Sequence, residues 1–308
     1  MTAATVLIPT HEHIEPLRHA VASAQEQSLQ DFELFIVGDG VGDATRALVA
    51  ELSAVDHRIR FFDYPKGPRK GEIHRHEALQ QAQGRFVAYL GDDDCWMPNH
   101  LEVMSELLSD ADFGHTLQIG VGNNGDLVVV PGDLENATFR DRMLNTIFNC
   151  FDLTFAGHTL AAYRKLPHGW RTTPKEFPWT DLYMWRQFLA EPWCRARSSM
   201  VPTGINTWTH RRANLDDAER ARHLEYWRTQ VARPEFRETI WCEVARQLAG
   251  QSVRLDLERI RQTTENQRLA EQNHGLSQAL AEMQTSTSWQ VTRPLRVLAK
   301  IARKLGAR

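Results

Sequence analysis

The chain has 308 residues, of which 42% are hydrophobic and 24% charged, and its formal net charge is −3. This composition is typical of a soluble globular protein with one large domain or two small ones. No apolar run is long enough to cross a bilayer, the N-terminus lacks the features of a signal peptide, and the four cysteines are too irregularly spaced for a zinc site or a disulfide framework. We therefore expect a cytoplasmic protein with reduced thiols.

Short apolar runs alternate four times with amphipathic helical segments in the first third of the chain. The runs end at glycine, proline or acidic residues, and the loops between elements are short. Such alternation predicts an α/β fold with a doubly wound, mostly parallel sheet. Strands are predicted at 5–8, 32–37, 59–62 and 86–90.

Three consecutive aspartates follow the fourth predicted strand, after Gly91: Asp92, Asp93 and Asp94. The carboxyl ends of strands are where open α/β sheets bind ligands. Adjacent carboxylates repel one another unless a cation neutralises them, and hard oxygen ligands suit Mg²⁺ or Mn²⁺. The alternative is a solvated acidic turn that caps the next helix, and the triplet alone supports both interpretations equally.

The pattern changes after residue 109. Residues 115–121 and 127–130 flank a turn-forming segment at 123–126, which predicts a hairpin. Aromatic residues and prolines are concentrated between 170 and 193, and we expect this stretch to form a wall of a substrate site.

The C-terminal segment carries two further patterns. Seam positions at alternating three- and four-residue spacing predict a short coiled coil, through which two copies would pair; a single amphipathic helix packed on the domain is an equal alternative. These positions are Asn266, Leu269, Asn273, Leu276, Leu280 and Met283. Beyond them, residues 297–305 combine one apolar face with several basic residues, and Trp289 precedes them. This pattern favours an anionic membrane surface as a partner over a disordered basic tail or a tail that binds nucleic acid, so we expect no nucleic-acid partner.

Taken together, these segments resemble family 2 glycosyltransferases with the GT-A fold. Residues 6–10 resemble the first strand and its Pro-Thr loop, 31–40 the second strand and its Asp-Asp-Gly-Ser turn, and 89–98 the metal-binding segment. The resemblance is strong over residues 4–110 and looser to about 215. It implies a nucleotide-sugar-binding half at 1–110, an acceptor-binding half at 111–230, and C-terminal helices with the coiled coil and basic tail at 231–308.

The resemblance also implies roles for individual residues. The donor nucleotide would be contacted by Pro9, Thr10, His11, Glu12, Asp39, Arg75 and Asp92. Asp39 would bind the base, and Asp93 would be the main ligand of Mn²⁺ or Mg²⁺, with Asp94 and His210 as further metal candidates. Three departures from the family pattern stand out: Gly38 and Gly91 each replace an aspartate, and Thr10-His11-Glu12 replaces Thr-Tyr-Asn.

The catalytic base is expected in the second half of the chain. Residues 179–185 resemble the family segment in which an acid opens a helix, so Asp181 is the predicted base and Glu176 the reserve. The alternative for Asp181 is a plain acid stabilised by a helix N-terminus. His158 lies in an apolar run, where a buried structural role is at least as well supported as an acceptor contact.

The resemblance implies a metal-dependent, inverting hexosyltransferase of cell-surface polysaccharide synthesis. It would move a sugar from a UDP- or dTDP-sugar to a hydroxyl of a glycan or lipid-linked acceptor, at the inner membrane face. One alternative is a nucleotidyltransferase, although the loop after the first strand lacks a glycine-rich phosphate motif. Another is a non-catalytic assembly subunit that retains the fold, which the loss of an aspartate at Gly91 would allow.

Overall fold

The structure of the chain is a computed structural model, which describes residues 2–122, 125–207 and 215–305. The chain divides into two compact units, Met1–Gln247 and Leu248–Arg308. The strands of the first unit are β1 (Ala4–Thr10), β2 (Phe32–Asp39), β3 (Ile59–Tyr64), β4 (Phe86–Tyr89), β5 (Cys95–Trp96), β6 (Phe113–Val121), β7 (Leu127–Val130), β8 (Ala156–Thr159), β9 (Ala196–Pro202) and β10 (Gly204–Ile205).

The helices of the first unit are α1 (Ile14–Gln25), α2 (Asp43–Val55), α3 (Glu72–Leu79), α4 (His100–Leu107), α5 (Ala137–Asn145), α6 (Leu160–Lys165), α7 (Thr180–Leu189) and α8 (Asp217–Val231). A 3₁₀ turn, Leu153–Phe155, precedes β8. The remaining helices are α9 (Pro234–Thr285), which begins in the first unit and continues into the second, α10 (Thr287–Val291) and α11 (Arg293–Leu305).

The main sheet has the strand order β3-β2-β1-β4-β8-β6-β7 among the described residues, with β9 also paired to β6. Strands β1 to β4 are parallel, and β8 is antiparallel to both β4 and β6. The predicted doubly wound, mostly parallel sheet is therefore confirmed. The direction of winding reverses between β1 and β4, which makes their carboxyl ends the topological switch point where such sheets bind ligands.

Side chains of alternate residues along β1 enter two different cores. Val6 and Ile8 pack with residues of α1, α2 and α4, such as Leu17, on one face of the sheet. Leu7 packs on the opposite face, with residues of α3 and α7 such as Trp185. Because side chains of a strand alternate between faces, a strand with apolar residues at consecutive positions must be covered by helices on both sides.

A third core cluster forms around the far end of β6. Leu117 and Ile119 of β6 pack with Trp227 of α8 and with Ile240 and Val244 of α9. This cluster holds α8 against the first unit, and α8 also has extensive contacts with α1. The predicted hairpin is present as the antiparallel pair β6 and β7; its turn residues 123 and 124 lie outside the described residues.

The aromatic stretch between 170 and 193 contributes mainly to the core. Trp170, Trp185 and Phe188 are at most 2% exposed, so the prediction that this stretch walls a substrate site is wrong for these three side chains. Trp179, immediately before α7, is 43% exposed and lines the cavity described below. Sequence composition identified the aromatic cluster but could not distinguish buried rings from accessible ones.

The second unit consists of helical segments with exposed apolar side chains. The predicted seam residues Leu269, Leu276, Leu280 and Met283 are all exposed in this chain, and pairing of two copies through them stays a prediction. In α11, the apolar residues Leu298 and Ile301 are also exposed. Among the described helices, none has both the length and the apolar character needed to cross a membrane.

Candidate active site

The switch point between β1 and β4 brings together residues that are about eighty positions apart. Thr10, the last residue of β1, donates from Oγ1 to Oδ2 of Asp92 at 2.8 Å. His13, in the loop before α1, places Nδ1 3.1 Å from Oδ1 of the same carboxylate. Asp92 therefore links the loops that follow the two central strands.

His13, Asp92 and Asp93 together offer one nitrogen and two carboxylate ligands within 4.8 Å of one another. Oxygen and imidazole ligands fit a divalent cation such as Mn²⁺, and carboxylates alone fit Mg²⁺. The sequence predicted Asp93 as a ligand and Asp92 as a nucleotide contact, but it did not predict His13. Nothing in the local pattern around His13 indicates a metal ligand; the signal arises only when β1 and β4 pair.

Asp94 occupies a different environment from its neighbours. Its carboxylate accepts hydrogen bonds from Thr154 Oγ1, from Asn206 Nδ2 at 3.1 Å and from the Thr207 backbone N–H at 2.9 Å. Asp94 is not part of the three-residue cluster. Through these hydrogen bonds, Asp94 is an internal anchor that joins the acidic loop to the segment after β10.

The departure at Gly91 has a steric explanation in this environment. A Cβ atom at Gly91 would lie 2.8 Å from Oδ2 of Asp94 and 3.2 Å from Oγ1 of Thr154. An aspartate at position 91, as in the common family motif, would collide with the buried Asp94 carboxylate. The glycine thus accompanies the use of Asp94 as an internal anchor.

His13 is held between a carboxylate and a guanidinium. The hydrogen bond to Asp92 is the largest cause of a rise in the pKa of His13 to about 9, and burial opposes this rise. Arg220 of α8 places Nη1 2.9 Å from Nε2 of His13, and a guanidinium can only donate, so this contact requires an unprotonated Nε2. Asp92 raises the pKa of His13 and Arg220 lowers it. A cation bound by Asp92 would, like Arg220, favour the neutral imidazole.

Asp39, at the end of β2, anchors the loop that precedes α3. Its Oδ1 accepts from the Gly67 backbone N–H at 2.6 Å, and its Oδ2 pairs with Lys66 Nζ at 2.5 Å. Gly71 has a left-handed φ of 63°, and a Cβ there would lie 2.5 Å from Cγ of Asp39. The close approach of Asp39 explains why position 71 is a glycine. In the same loop, Arg69 donates from Nη2 to the Phe177 carbonyl at 2.8 Å.

The other predicted nucleotide-binding residues lie along the same edge of the sheet. Pro9 is within β1, opposite Val37 of β2. His11 and Glu12 follow β1 on the partly exposed loop, where His11 Nε2 is 3.5 Å from Glu12 Oε1. Their roles toward a nucleotide stay predictions.

A cavity of about 790 Å³ adjoins this edge, and charged side chains from distant parts of the chain line it. The described lining residues that are charged are Lys70, Arg75, Asp93, Asp94, Asp152, Asp181 and Arg220. Arg75 is 5% exposed, lies 4.6 Å over the Trp170 ring and donates to the Lys70 carbonyl at 3.2 Å. Burial lowers the pKa of Arg75, but an arginine stays charged at neutral pH.

Asp181 enters the cavity from the first turn of α7. Its Oδ1 accepts from the Leu182 backbone N–H at 2.8 Å, and its Oδ2 accepts from Asn149 Nδ2 at 3.0 Å. Burial, followed by the charge of Asp152, raises the pKa of Asp181 to about 7. A plain acid at a helix N-terminus would have a lowered pKa, so the environment of Asp181 differs from that of a simple capping residue. Glu176 is exposed and does not line the cavity.

Asp152 and Asn149 are site residues that the sequence analysis missed. They lie on the segment before the 3₁₀ turn, which has no periodic pattern, and both line the cavity with Asp181. His158, by contrast, is fully buried, with Nε2 2.6 Å from the Tyr89 hydroxyl, and burial lowers its pKa to about 4. This supports the structural interpretation of His158; His210 lies outside the described residues.

Comparison with known proteins matches this chain to glycosyltransferases. The family model described as glycosyl transferase family 2 matches residues 5–168. The putative teichuronic acid biosynthesis glycosyltransferase TuaG of Bacillus subtilis is 29% identical over 151 residues, 47% of this chain and 59% of TuaG. The UDP-Glc:alpha-D-GlcNAc-diphosphoundecaprenol beta-1,3-glucosyltransferase WfgD of Escherichia coli is 31% identical over 106 residues, 34% of this chain and 40% of WfgD. The matched part is thus less than two thirds of either relative.

Solved structures agree on the fold. The crystal structure of S. aureus TarS residues 1–349 in complex with UDP-GlcNAc superposes with a TM-score of 0.51 at 18% identity, covering 67% of this chain and 58% of that one. A second structure of the same TarS segment gives a TM-score of 0.50 at 17% identity, covering 71% of this chain and 68% of that one. At such identities the likeness shows the fold alone, and it confirms the predicted GT-A fold.

Proposed function

Because this chain belongs to glycosyl transferase family 2, we propose that it moves a sugar from a nucleoside diphosphate sugar to a hydroxyl of a glycan or lipid-linked acceptor in cell-surface polysaccharide synthesis. One observation supports the proposal beyond membership of the family: Asp93 and Asp181 line the same cavity. Asp93 is the predicted metal ligand, and Asp181 is a carboxyl with a pKa of about 7. A leaving-group site and a base must adjoin one reaction centre in such a transfer.

The donor would occupy the edge formed by β1, β2 and β4, within residues 1–110. Asp39 would bind a uracil or thymine base, while Thr10 and Asp92 would meet the ribose side together with Pro9, His11 and Glu12. WfgD is named for a UDP-glucose donor, which supports UDP as the first nucleotide to test. Base contact by Asp39 would require Lys66 to release part of the carboxylate, since Lys66 and Gly67 occupy it now.

Mn²⁺ or Mg²⁺ would be held by Asp93 and Asp92, with His13 as the third ligand. When bound there, the cation would neutralise negative charge on the diphosphate. Lys70, Arg75 and Arg220 line the cavity and would add positive charge close to the phosphates. Asp94 and His210 would be further ligands of the cation; Asp94 would then have to share a carboxylate that already accepts from Thr154, Asn206 and Thr207, and His210 lies outside the described residues.

Asp181 would remove the proton from the acceptor hydroxyl as that oxygen attacks the anomeric carbon. A base with a pKa near the working pH combines a large ionised fraction with useful basicity. Asn149 donates to Oδ2 of Asp181 and orients the carboxylate. Attack from the side opposite the leaving group would invert the configuration, and residues 111–230 would supply the acceptor half of the cavity.

The C-terminal unit would provide attachment rather than chemistry. The face of α11 that carries Leu298 and Ile301 is exposed, and its basic residues suit an anionic membrane surface at the inner face of the membrane. The segment 266–283 would pair two copies as a coiled coil. Flotation with vesicles of phosphatidylglycerol and phosphatidylcholine tests the first proposal: protein truncated after residue 285 should lose binding, and unchanged binding would contradict it.

The central test is calorimetric titration of UDP and dTDP with and without Mn²⁺. Wild type should bind one of them in a metal-dependent way, and Asp93→Ala should lose the metal-dependent part. Product analysis then separates sugar transfer, which releases a nucleoside diphosphate, from nucleotidyl transfer, which releases pyrophosphate. Absence of binding to either nucleotide by folded protein would contradict the proposed donor; a different nucleotide would be tested next, and failure there would favour a non-catalytic role.

A further inference from the structure

The segment that leads to the predicted catalytic base has no helix or strand of its own. Residues 166–179 connect α6 to α7 without regular structure, and Asp181 lies in the first turn of α7. Pro178, Trp179 and Asp181 all line the cavity. Because a base must be held at a fixed distance from the group that it deprotonates, contacts from outside the segment have to keep it in place.

Contacts with α3 hold the early part of this segment. The guanidinium of Arg75 lies 4.6 Å over the Trp170 ring. Glu72, which is fully buried, accepts from the Thr173 backbone N–H at 3.3 Å. Both contacts lie well before α7 in the chain, so they leave the part of the segment next to Asp181 to be fixed by another residue.

Arg69, in the loop before α3, makes a contact closer to α7. Its Nη2 donates to the Phe177 carbonyl at 2.8 Å. The centroid of the Phe177 ring lies 5.4 Å from that of Tyr183 and 4.7 Å from the guanidinium carbon of Arg186, and both of these residues belong to α7. Phe177 is therefore held by Arg69 through its backbone and by α7 through its side chain.

The backbone of Arg69 has a conformation that does not suit an arginine. Its φ of 56° is left-handed, and no other non-glycine residue in the described part of the chain has a positive φ. A residue with a Cβ atom pays a free-energy cost in this region that glycine avoids. Glycine would serve the turn better, so the guanidinium and its hydrogen bond to Phe177 give the arginine its use.

The same loop is also attached to the donor end of the site. Lys66 donates from Nζ to the Arg69 carbonyl at 3.1 Å, and its Nζ lies 2.5 Å from Oδ2 of Asp39, the residue predicted to bind the nucleobase. The loop therefore connects two ends of the site, through Lys66 to Asp39 and through Arg69 to the segment before α7.

We propose that Arg69 is a positioning residue for sugar transfer, which acts through Phe177 to fix the start of α7, and hence Asp181, relative to the donor. Arg69 is not among the described residues that line the cavity, so it acts through another residue. This inference rests on the proposed function, in which Asp181 is the base. A displacement of about 1 Å can cost about 100-fold in rate, so the loss of this hydrogen bond should affect turnover more than stability.

The test uses the full-length chain and replaces each of two arginines by a residue that its backbone accommodates. Arg69→Gly removes the side chain and suits the left-handed φ. Arg164→Ala is the matched control: Arg164, in the last turn of α6, also donates from Nη2 to a carbonyl, that of Ala82 at 3.1 Å. Arg164 lies beside Thr2, close to the amino end of β1. Both variants lose an arginine–carbonyl hydrogen bond, but Arg164→Ala loses it away from the cavity.

Hydrogen exchange of the Phe177 amide reports on the segment without any turnover. This amide donates to the Pro174 carbonyl at 3.0 Å. In the presence of UDP and Mn²⁺, its exchange should be about tenfold faster in Arg69→Gly than in wild type, because local opening becomes easier. Arg164→Ala should exchange at the wild-type rate. The urea midpoint of Arg69→Gly should stay close to that of wild type, since relief of the strained backbone offsets the lost hydrogen bond.

Turnover is measured as UDP release from UDP-glucose or UDP-GlcNAc with Mn²⁺ and octyl glucoside. In Arg69→Gly, kcat should fall about 10- to 100-fold while the donor KM is unchanged, because the donor contacts are intact. Arg69→Lys retains a hydrogen-bond donor and should recover part of the loss, and Arg164→Ala should match wild type.

Unchanged exchange of the Phe177 amide in Arg69→Gly overturns the proposal, as does an unchanged kcat. An equal fall in kcat in Arg164→Ala also overturns it, since the effect would then be a general one on the fold. Absence of metal-dependent UDP binding by wild type contradicts the proposed function instead, so the two failures are distinguishable.

Discussion

Replacement of Asp181 by asparagine should stabilise the protein at alkaline pH while it removes activity. The pKa of Asp181 is about 7, roughly three units above the usual value for an aspartate, and each unit corresponds to about 1.36 kcal/mol. About 4 kcal/mol is therefore the upper limit of the free-energy cost of keeping Asp181 ionised in the folded state. Because Asp181 adjoins a water-accessible cavity, where solvent screens part of this cost, we expect a gain of about 1–2 kcal/mol.

The sign of this effect depends on pH. A carboxyl whose pKa is higher in the folded state than in the unfolded state favours folding at low pH, and this contribution is lost as pH rises through about 7. Urea unfolding at pH 8 should show Asp181→Asn to be more stable than wild type, and the difference should vanish near pH 4, where both side chains are neutral. A variant that is less stable at pH 8 would refute the assigned environment.

Activity supplies the second half of this test. Removal of a general base typically costs about 10²- to 10⁴-fold in rate, so Asp181→Asn should lose sugar transfer by that factor while its binding of UDP is retained. Wild-type kcat/KM should rise with pH through about 7, the pKa of Asp181. Glu176→Gln distinguishes the two predicted bases: if Glu176→Gln abolishes transfer and Asp181→Asn does not, the reasoning about Asp181 is wrong.

Three further predictions concern the metal cluster, the acidic loop and the core. His13→Ala should weaken Mn²⁺ binding about tenfold and affect Mg²⁺ less, as measured by calorimetry, because Mg²⁺ prefers oxygen ligands; an equal loss for both ions would contradict His13 as a ligand. Gly91→Ala should destabilise the fold by about 1–3 kcal/mol in urea unfolding, because its Cβ would lie 2.8 Å from the Asp94 carboxylate; a neutral result would show that the loop relaxes freely. Trp185→Ala removes a fully buried side chain and should cost about 3–5 kcal/mol by the same assay, whereas a loss below 1 kcal/mol would contradict its place in the core.

The order of elements in the first half of the chain was predictable because it depends on local patterns. Consecutive apolar residues at 6–8 and 34–37 indicate strands covered on both faces, and β1 and β2 show that burial. The acids at 92–94 follow a predicted strand after a single glycine, so their position at the carboxyl edge of the sheet followed from connectivity alone. The resemblance to a family then added Asp181, which local patterns could not separate from a helix-capping acid.

The contacts that define the site were decided only by the tertiary structure. Hydrophobic periodicity encodes which face of an element is buried, but it does not encode which distant loops meet. The contact of His13 with Asp92, the joint lining of the cavity by Asp152 and Asp181, and the clash that requires Gly91 all join elements whose approach depends on sheet order and helix packing. For the same reason, composition alone could not show that Trp170 and Trp185 are core residues whereas Trp179 reaches the cavity.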